Sequence, residues 1–242
     1  WPSFFSWLGH STPPGRLGHA TTTVSVSWSA GIAVGSIVAG VLFNFHPTLP
    51  FLAASIPALL AGTIMIMVAQ PGRPETSPKS SESGRTRWRL LAASWLGNAA
   101  VTCMVGVMTS VFPKLGLDIG IDAALFGAFA ALMGISRTLI FITGLRMGSF
   151  LRDWRVGLTT QAIAIACVAS LAGLEARWWV GCVFAVIGVS LAANYYRSLY
   201  VSLEGGASSG LKSSLHEASL IGGVVLGSVG GGLLADLWTL RA

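Results

Sequence analysis

Arg137, His216 and Glu217 are ionisable side chains that stand within long apolar stretches of the 242-residue sequence. Charge within a membrane-embedded segment is costly and tends to mark a binding site or a proton path. Arg137 could bind an anionic group or pair with a carboxylate, or it could snorkel toward the lipid headgroups. Glu217 could carry a proton together with His216, which titrates near neutral pH. Residues 214–217 also fit a helix capping box, which is the structural alternative for Glu217.

Four polar side chains in other apolar stretches are further candidates for a substrate pathway. Asn98 and Thr102 lie one helical turn apart and therefore share a face. Asn194 and Tyr195 come late in another stretch. These groups could hydrogen-bond a substrate. The alternatives are a hydrogen bond between helices for Asn98 and anchoring at the membrane interface for the tyrosine.

The sequence lacks the motifs of an enzyme or of an ATP-driven motor. It has no G-x-S-x-G, H-E-x-x-H or Walker-type phosphate loop, and its three cysteines lie in apolar runs without metal-ligand spacing. Its positive residues are spread over connecting segments, so its net charge of +6 does not indicate nucleic-acid binding. We therefore expect no enzyme activity, no cofactor, no metal and no nucleic-acid partner.

The elements that must position these side chains are long apolar segments. Hydrophobic residues make up 53% of the chain and charged residues only 10%, too few to cover a soluble domain of this size. A helix of about 20 apolar residues crosses a bilayer. Seven stretches meet that length, at residues 20–43, 50–69, 88–112, 123–145, 156–174, 178–202 and 213–236. The fold class predicted is an all-α integral membrane bundle with about seven complete transmembrane helices.

The distribution of positive residues orients these helices in the bilayer. Lysine and arginine number fifteen in the chain. One side receives Arg16, Arg73, Lys79, Arg85, Arg87, Arg89, Arg146, Arg152, Arg155, Arg197 and Lys212. The other receives Lys114, Arg177 and Arg241, and Arg137 stays inside a stretch. The richer side is cytoplasmic by the positive-inside rule, so the polar linker at 70–87 is cytoplasmic in a multi-pass protein expected in the plasma (inner) membrane.

A glycine pattern recurs in the first and the last complete stretches. Both read G-x-x-x-G-S-x-x-[AG]-G, and the second copy begins 192 residues after the first. The glycines that define the two copies are Gly31, Gly35, Gly40, Gly223, Gly227 and Gly232. Small residues at this spacing let helices approach closely, so we assign them a role in helix packing and gating. Leucine at Gly35 or Gly227 should then block conformational exchange.

This pattern resembles the glycine-rich fifth-helix motif of major facilitator superfamily transporters and its echo in the eleventh helix. Ser36 and Ser228 stand where that motif has proline. Residues 148–155 are similar to the charged cytoplasmic loop motif of the same family, with Arg152 and Asp153 displaced by a few positions. In the family such a loop latches helices in one gating state, and a solvated loop is the alternative.

The resemblance implies that the chain runs from the end of helix four through helix eleven, with the first three helices and the twelfth outside it. Residues 1–69 would end an N-terminal bundle, 70–87 would be the linker, and 88–242 would form a C-terminal bundle. Helices carrying Asn98 and Asn194 would line a central cavity.

The implied function is secondary active transport of a small molecule by alternating access, with H+ as one option for the coupled ion. The scant charge of the cavity helices favours a neutral or amphiphilic cargo. A seven-helix receptor or sensor and the permease subunit of an ATP-driven transporter are the alternatives.

Overall fold

The structure, a computed structural model, describes residues 2–68, 87–173, 176–203 and 209–237. This part of the chain is helical and contains no strand. Its α-helices are α1 (Pro2–Ser11), α2 (Leu17–Phe45), α3 (Leu49–Val68), α4 (Arg87–Ser110), α5 (Phe112–Asp118), α6 (Ala123–Arg152), α7 (Trp154–Ser170), α8 (Arg177–Leu203) and α9 (Ser209–Leu237). The predicted linker at 70–87 lies outside the described residues except for Arg87.

Each of the seven apolar stretches coincides with one of these helices, α2 to α4 and α6 to α9. Five helices are long and apolar enough to cross a membrane, over Leu17–Phe45, Trp88–Ser110, Ala123–Gly144, Arg177–Leu203 and Gly210–Leu237. Two are shorter: the apolar part of α3 is Leu49–Ile64, and α7 has 17 residues. The protein is therefore a helical membrane bundle, and membrane crossing by α3 and α7 stays a prediction.

The connection between α6 and α7 is shorter than the loop predicted at residues 148–155. Helix α6 continues to Arg152, so Asp153 alone separates the two helices. Leu151, in this last turn of α6, is buried in an apolar cluster with residues of α1, α2 and α8. Asp153 accepts a hydrogen bond from the Arg155 backbone N–H at 3.0 Å and so caps the start of α7.

Helices α2 and α6 run antiparallel and pack through small residues. A methyl group added at Gly134 would lie 3.0 Å from the Ala33 Cα, and one added at Gly127 would lie 3.0 Å from the Gly40 Cα. Such distances leave no room for a side chain between the two backbones. The contact joins the helix before the predicted linker to a helix after it.

Helices α4 and α9 run parallel and pack through a row of glycines spaced four residues apart. A methyl group at Gly223 would lie 3.0 Å from the Ala99 carbonyl carbon, and one at Gly227 would lie 3.0 Å from the Cys103 Cα. Gly231 faces Val107 in the same way, at 3.1 Å. The row lets the two backbones approach closely along most of their length.

The remaining glycines of the repeated pattern face open space in this conformation. A methyl group added at Gly31, Gly35 or Gly232 would have no described atom within 4 Å. The two copies of the pattern are therefore used differently. In α9 it contributes Gly223 and Gly227 to a helix crossing, and in α2 it contributes Gly40.

A cluster of apolar side chains closes one end of the bundle. This end, called the basic end below, carries Arg16, Arg89, Arg152, Arg155 and Lys212. The buried members of the cluster are Phe5, Leu8, Leu17, Phe141, Leu151, Ala192, Tyr195, Tyr196, Leu199 and Leu203. They join α1 and the start of α2 to α6 and α8. Close packing among these side chains holds the helices together at the basic end.

Candidate functional site

Four of the seven predicted pathway residues come together where α2, α6, α8 and α9 meet. The Arg137 guanidinium carbon lies 4.4 Å from the centroid of the Trp28 ring. The Trp28 ring is 5.3 Å from the Tyr195 ring, which in turn is 5.0 Å from the His216 ring. Glu217 follows His216 on α9. These five residues are called the central cluster below.

A cavity of about 270 Å³ lies beside the central cluster. It is lined by Phe5, Val24, Ser25, Trp28, Tyr195, Glu217, Leu220 and Ile221. Its wall is mainly apolar with a few polar groups, which is the usual character of a small-molecule site. Glu217 supplies the carboxylate, and its residue is only 9% exposed.

Arg137 is buried with most of its hydrogen-bonding capacity unused. The residue is 3% exposed, and neither Nε nor Nη2 has a hydrogen-bond partner in the described part of the chain. Burying a charge costs several kcal/mol even after relaxation, whereas a desolvated cation–π contact returns only about 2 kcal/mol. The contact with the Trp28 ring therefore offsets only part of the free-energy cost of burying the Arg137 guanidinium.

His216 and Glu217 form an ionisable pair between the cavity and α8. The Ser198 hydroxyl oxygen and His216 Nδ1 share a hydrogen bond of 2.8 Å. His216 Nε2 lies 3.9 Å from a Glu217 carboxylate oxygen and has no hydrogen-bond partner among the described residues. This arrangement places a carboxylate on the cavity wall with an imidazole beside it, the groups needed to hold or pass a proton.

The other three predicted pathway residues do not line this cavity: Asn98 and Asn194 bond to neighbouring helices, and Thr102 bonds within its own helix. Asn98 Nδ2 donates to the Ser219 hydroxyl oxygen of α9 at 3.3 Å. The Thr102 hydroxyl donates to the Asn98 carbonyl at 2.9 Å. Asn194 Nδ2 donates to the carbonyl oxygens of Ser190 at 3.0 Å and of Gly157 at 3.3 Å.

The predicted latch residues lie at the basic end of the bundle. Arg152 Nη1 donates to the Tyr200 hydroxyl oxygen at 2.8 Å, and its guanidinium carbon lies 4.7 Å from the centroid of that ring. Arg152 thus ties the end of α6 to α8, while Asp153 caps α7. Both side chains are exposed.

Trp28 is the residue of the central cluster that the sequence analysis missed. A signal was present, because α2 carries a stripe of buried hydroxyl residues in a helix that is otherwise apolar: Thr21, Thr22, Ser25 and Ser29. Their spacing of three to four residues marks one helix face turned toward other protein helices. Trp28 directly precedes the last residue of that stripe.

Comparison with known proteins gives one family. The sequence profile of the Major Facilitator Superfamily matches residues 1–203, which is more than half of the chain. No curated protein and no solved structure matches the chain. The match agrees with an all-helical bundle that has five candidate membrane spans. The chain therefore belongs to the major facilitator superfamily, and it is an integral, multi-pass protein of a family of membrane transporters.

Proposed function

We propose that the protein is a secondary active carrier that moves a small molecule by alternating access through the cavity beside the central cluster. The observation that carries this proposal is a carboxylate, Glu217, on the wall of an otherwise largely apolar cavity inside a membrane bundle. Ionisable groups at such depth are retained where they bind a substrate or a coupled ion. Carriers place these groups between helices that move relative to each other.

We assign residues 1–69 to an N-terminal bundle, 70–87 to a cytoplasmic linker and 88–242 to a C-terminal bundle. Seven helices, including α3 and α7, then cross the plasma membrane. The contact between α2 and α6 becomes a contact between bundles, and the contact between α4 and α9 lies within one bundle. The basic end faces the cytoplasm by the positive-inside rule. The apolar cluster there would seal the cytoplasmic side while the bundles separate on the other.

Glu217 is the residue assigned to proton coupling. A carboxylate that passes through an occluded, desolvated state does so at least cost in its neutral, protonated form. His216 Nε2 lies 3.9 Å from a Glu217 carboxylate oxygen, so a proton would pass between them once a side-chain movement brings them to hydrogen-bond distance, and the Ser198 hydroxyl orients the imidazole ring. Transport of the cargo would then require that Glu217 gain a proton on one side and lose it on the other.

The test is uptake of a small-molecule panel by the protein in liposomes, with and without an imposed proton gradient. The variant is Glu217→Gln, and the matched control is Asp236→Asn, an exposed acidic residue on the same helix. Gradient-driven uptake by the wild type and the control is expected. In Glu217→Gln the stimulation of uptake by the proton gradient should be lost, while exchange of cargo across the membrane continues.

Two outcomes would contradict parts of the proposal. Full gradient-driven uptake by Glu217→Gln would exclude Glu217 as the coupling group. If folded wild-type protein moved no compound under any gradient, the carrier assignment itself would fail, and a receptor or a subunit of an ATP-driven system would be favoured.

A further inference from the structure

We propose that the cargo is a small organic anion, and that its anionic group binds the Arg137 guanidinium in place of the Trp28 ring. This inference rests on the proposed carrier function and names its substrate class. It replaces the sequence-based expectation of a neutral or amphiphilic cargo, because the structure buries Arg137, inside the membrane span of α6, next to a cavity.

Arg137 has hydrogen-bond donors without acceptors among the described residues. Its guanidinium carries five N–H donors in a planar fork that matches a carboxylate or phosphate with two parallel hydrogen bonds. The Trp28 ring attracts the positive charge but offers no hydrogen-bond acceptor in the plane of the fork. Nε and Nη2 therefore stay without acceptors within the described residues. An anion would supply both the missing acceptors and the missing charge.

The acidic side chains described in the structure do not neutralise Arg137. Asp122 and Asp153 accept hydrogen bonds from backbone N–H groups at the starts of α6 and α7. Asp236 is exposed near the end of α9. Glu217 is the acidic member of the central cluster, and its nearest ionic partner among the described residues is His216. None of these carboxylates forms an ion pair with Arg137.

The size and lining of the cavity fit a small molecule with an apolar body. Phe5, Val24, Leu220 and Ile221 would surround an apolar body, and a volume of about 270 Å³ limits the cargo to a small molecule. Trp28 both lines this cavity and covers Arg137. Displacement of one aromatic ring would therefore open the guanidinium to a ligand that already sits in the cavity.

Glu217 on the same wall also constrains how an anion enters. An ionised Glu217 would repel the cargo, so the cargo and a proton on Glu217 should favour each other's binding. The other ionisable groups that pack around this position in the described structure are Arg137 of α6, Tyr195 of α8 and His216 of α9. Entry of the anion together with a proton would add no net charge to the site.

The first experiment measures ligand-dependent thermal unfolding of the purified protein in detergent. The probes are two matched pairs, acetate with acetamide and benzoate with benzamide, in which each amide keeps the shape of its acid but lacks the charge. The carboxylates should raise the unfolding temperature of the wild type in a concentration-dependent way, and the amides should not. Equal shifts by acid and amide, or no shift by either carboxylate at high concentration, would overturn the proposal.

Variants of Arg137 locate the effect. Arg137→Gln should abolish the carboxylate-dependent rise in unfolding temperature. Arg137→Lys should keep part of that rise, because lysine retains the positive charge but lacks the planar set of guanidinium N–H donors. The control is Arg155→Gln, since Arg155 also lies over a tryptophan ring, at 5.8 Å, but at an exposed position. That variant should keep the full shift. A shift that survives in Arg137→Gln would overturn the proposal.

The unfolding temperatures of the variants without ligand give a second test, which does not require the cargo to be identified. The cost of burying the Arg137 charge is only partly offset in the unliganded protein. Arg137→Gln without ligand should therefore unfold at a temperature equal to or higher than that of the wild type. A marked decrease, absent from Arg155→Gln, would mean that a protein group already satisfies the guanidinium, and would overturn the anion site.

Uptake of the same probes into liposomes separates this inference from the carrier function. Uptake of benzoate but not benzamide, in excess of uptake by protein-free liposomes, supports both. Uptake of benzamide without benzoate would overturn the anionic cargo and leave the carrier intact. Carboxylate-dependent stabilisation with no uptake of any compound would support the anion site and overturn the carrier.

Discussion

Replacement of Gly227 by alanine should destabilise the protein, whereas the same replacement three residues later should not. A methyl group at Gly227 would lie 2.8 Å from the Cys103 carbonyl carbon and 3.0 Å from its Cα. These are backbone atoms of α4, so the two helices must separate to admit it. A methyl group at Gly230 meets no described atom within 4 Å. The two positions lie on one helix and differ mainly in this contact.

The size of the effect follows from two terms. Alanine is favoured over glycine in a helix interior by about 1 kcal/mol, and this gain applies equally to Gly227→Ala and Gly230→Ala. Overpacking a tight contact costs typically about 1–3 kcal/mol, and this cost applies to Gly227→Ala alone. For a chain of this length each kcal/mol corresponds to roughly 2–4 °C. Gly227→Ala should thus unfold about 2–12 °C below Gly230→Ala.

The assay is thermal unfolding of the two variants and the wild type under one set of detergent conditions. Comparison of the variants with each other removes the helix-propensity term, and Gly223→Ala should behave like Gly227→Ala because it meets Ala99 in the same way. Equal unfolding temperatures for Gly227→Ala and Gly230→Ala would refute the close α4–α9 crossing. The role proposed for the glycine pattern in α9 would fail with it.

Two further predictions concern the bundle contact and the central cluster. Gly127→Ala places a methyl group 3.0 Å from the Gly40 Cα, so it should disfavour the conformation in which α2 and α6 touch and slow uptake roughly tenfold for each 1.4 kcal/mol of added strain. Uptake at the wild-type rate would contradict a role for the α2–α6 contact in the transport cycle. Ser198→Ala leaves His216 Nδ1 without its hydrogen bond and should cost about 1–3 kcal/mol in unfolding measurements, while Ser55→Ala at an exposed position should be neutral. Equal stability of these two serine variants would remove the reason for assigning Ser198 to the cluster.

The positions of the helices could be predicted because long apolar runs leave the chain few choices in a membrane. Backbone groups in lipid must bond within their own segment, and a continuous apolar run of this length does so as a helix. Boundaries were harder to predict. The sequence places a loop at residues 148–155, yet α6 extends to Arg152, and Leu151 is buried in a cluster with residues of α1, α2 and α8. Those neighbours are distant in sequence and give no local signal.

The candidate site could be predicted where charge stood out against an apolar background. Arg137, His216 and Glu217 were identified in this way, and the structure places them in one cluster. Asn98 and Thr102 share a helix face as their spacing predicts, but spacing does not reveal which element covers that face. The structure places α9 there. Trp28 was missed because a tryptophan in an apolar helix resembles one that anchors the helix at the interface.

The single-residue junction at Asp153 has a mechanical consequence. Because one residue joins α6 to α7, a tilt of either helix should displace the adjoining end of the other. The junction also joins α6, which packs against α2, to α7, which packs against α8. A reporter tag or domain inserted at this junction would uncouple α6 from α7. Labels that track the movement of these helices therefore belong on exposed side chains such as Trp154 or Arg155.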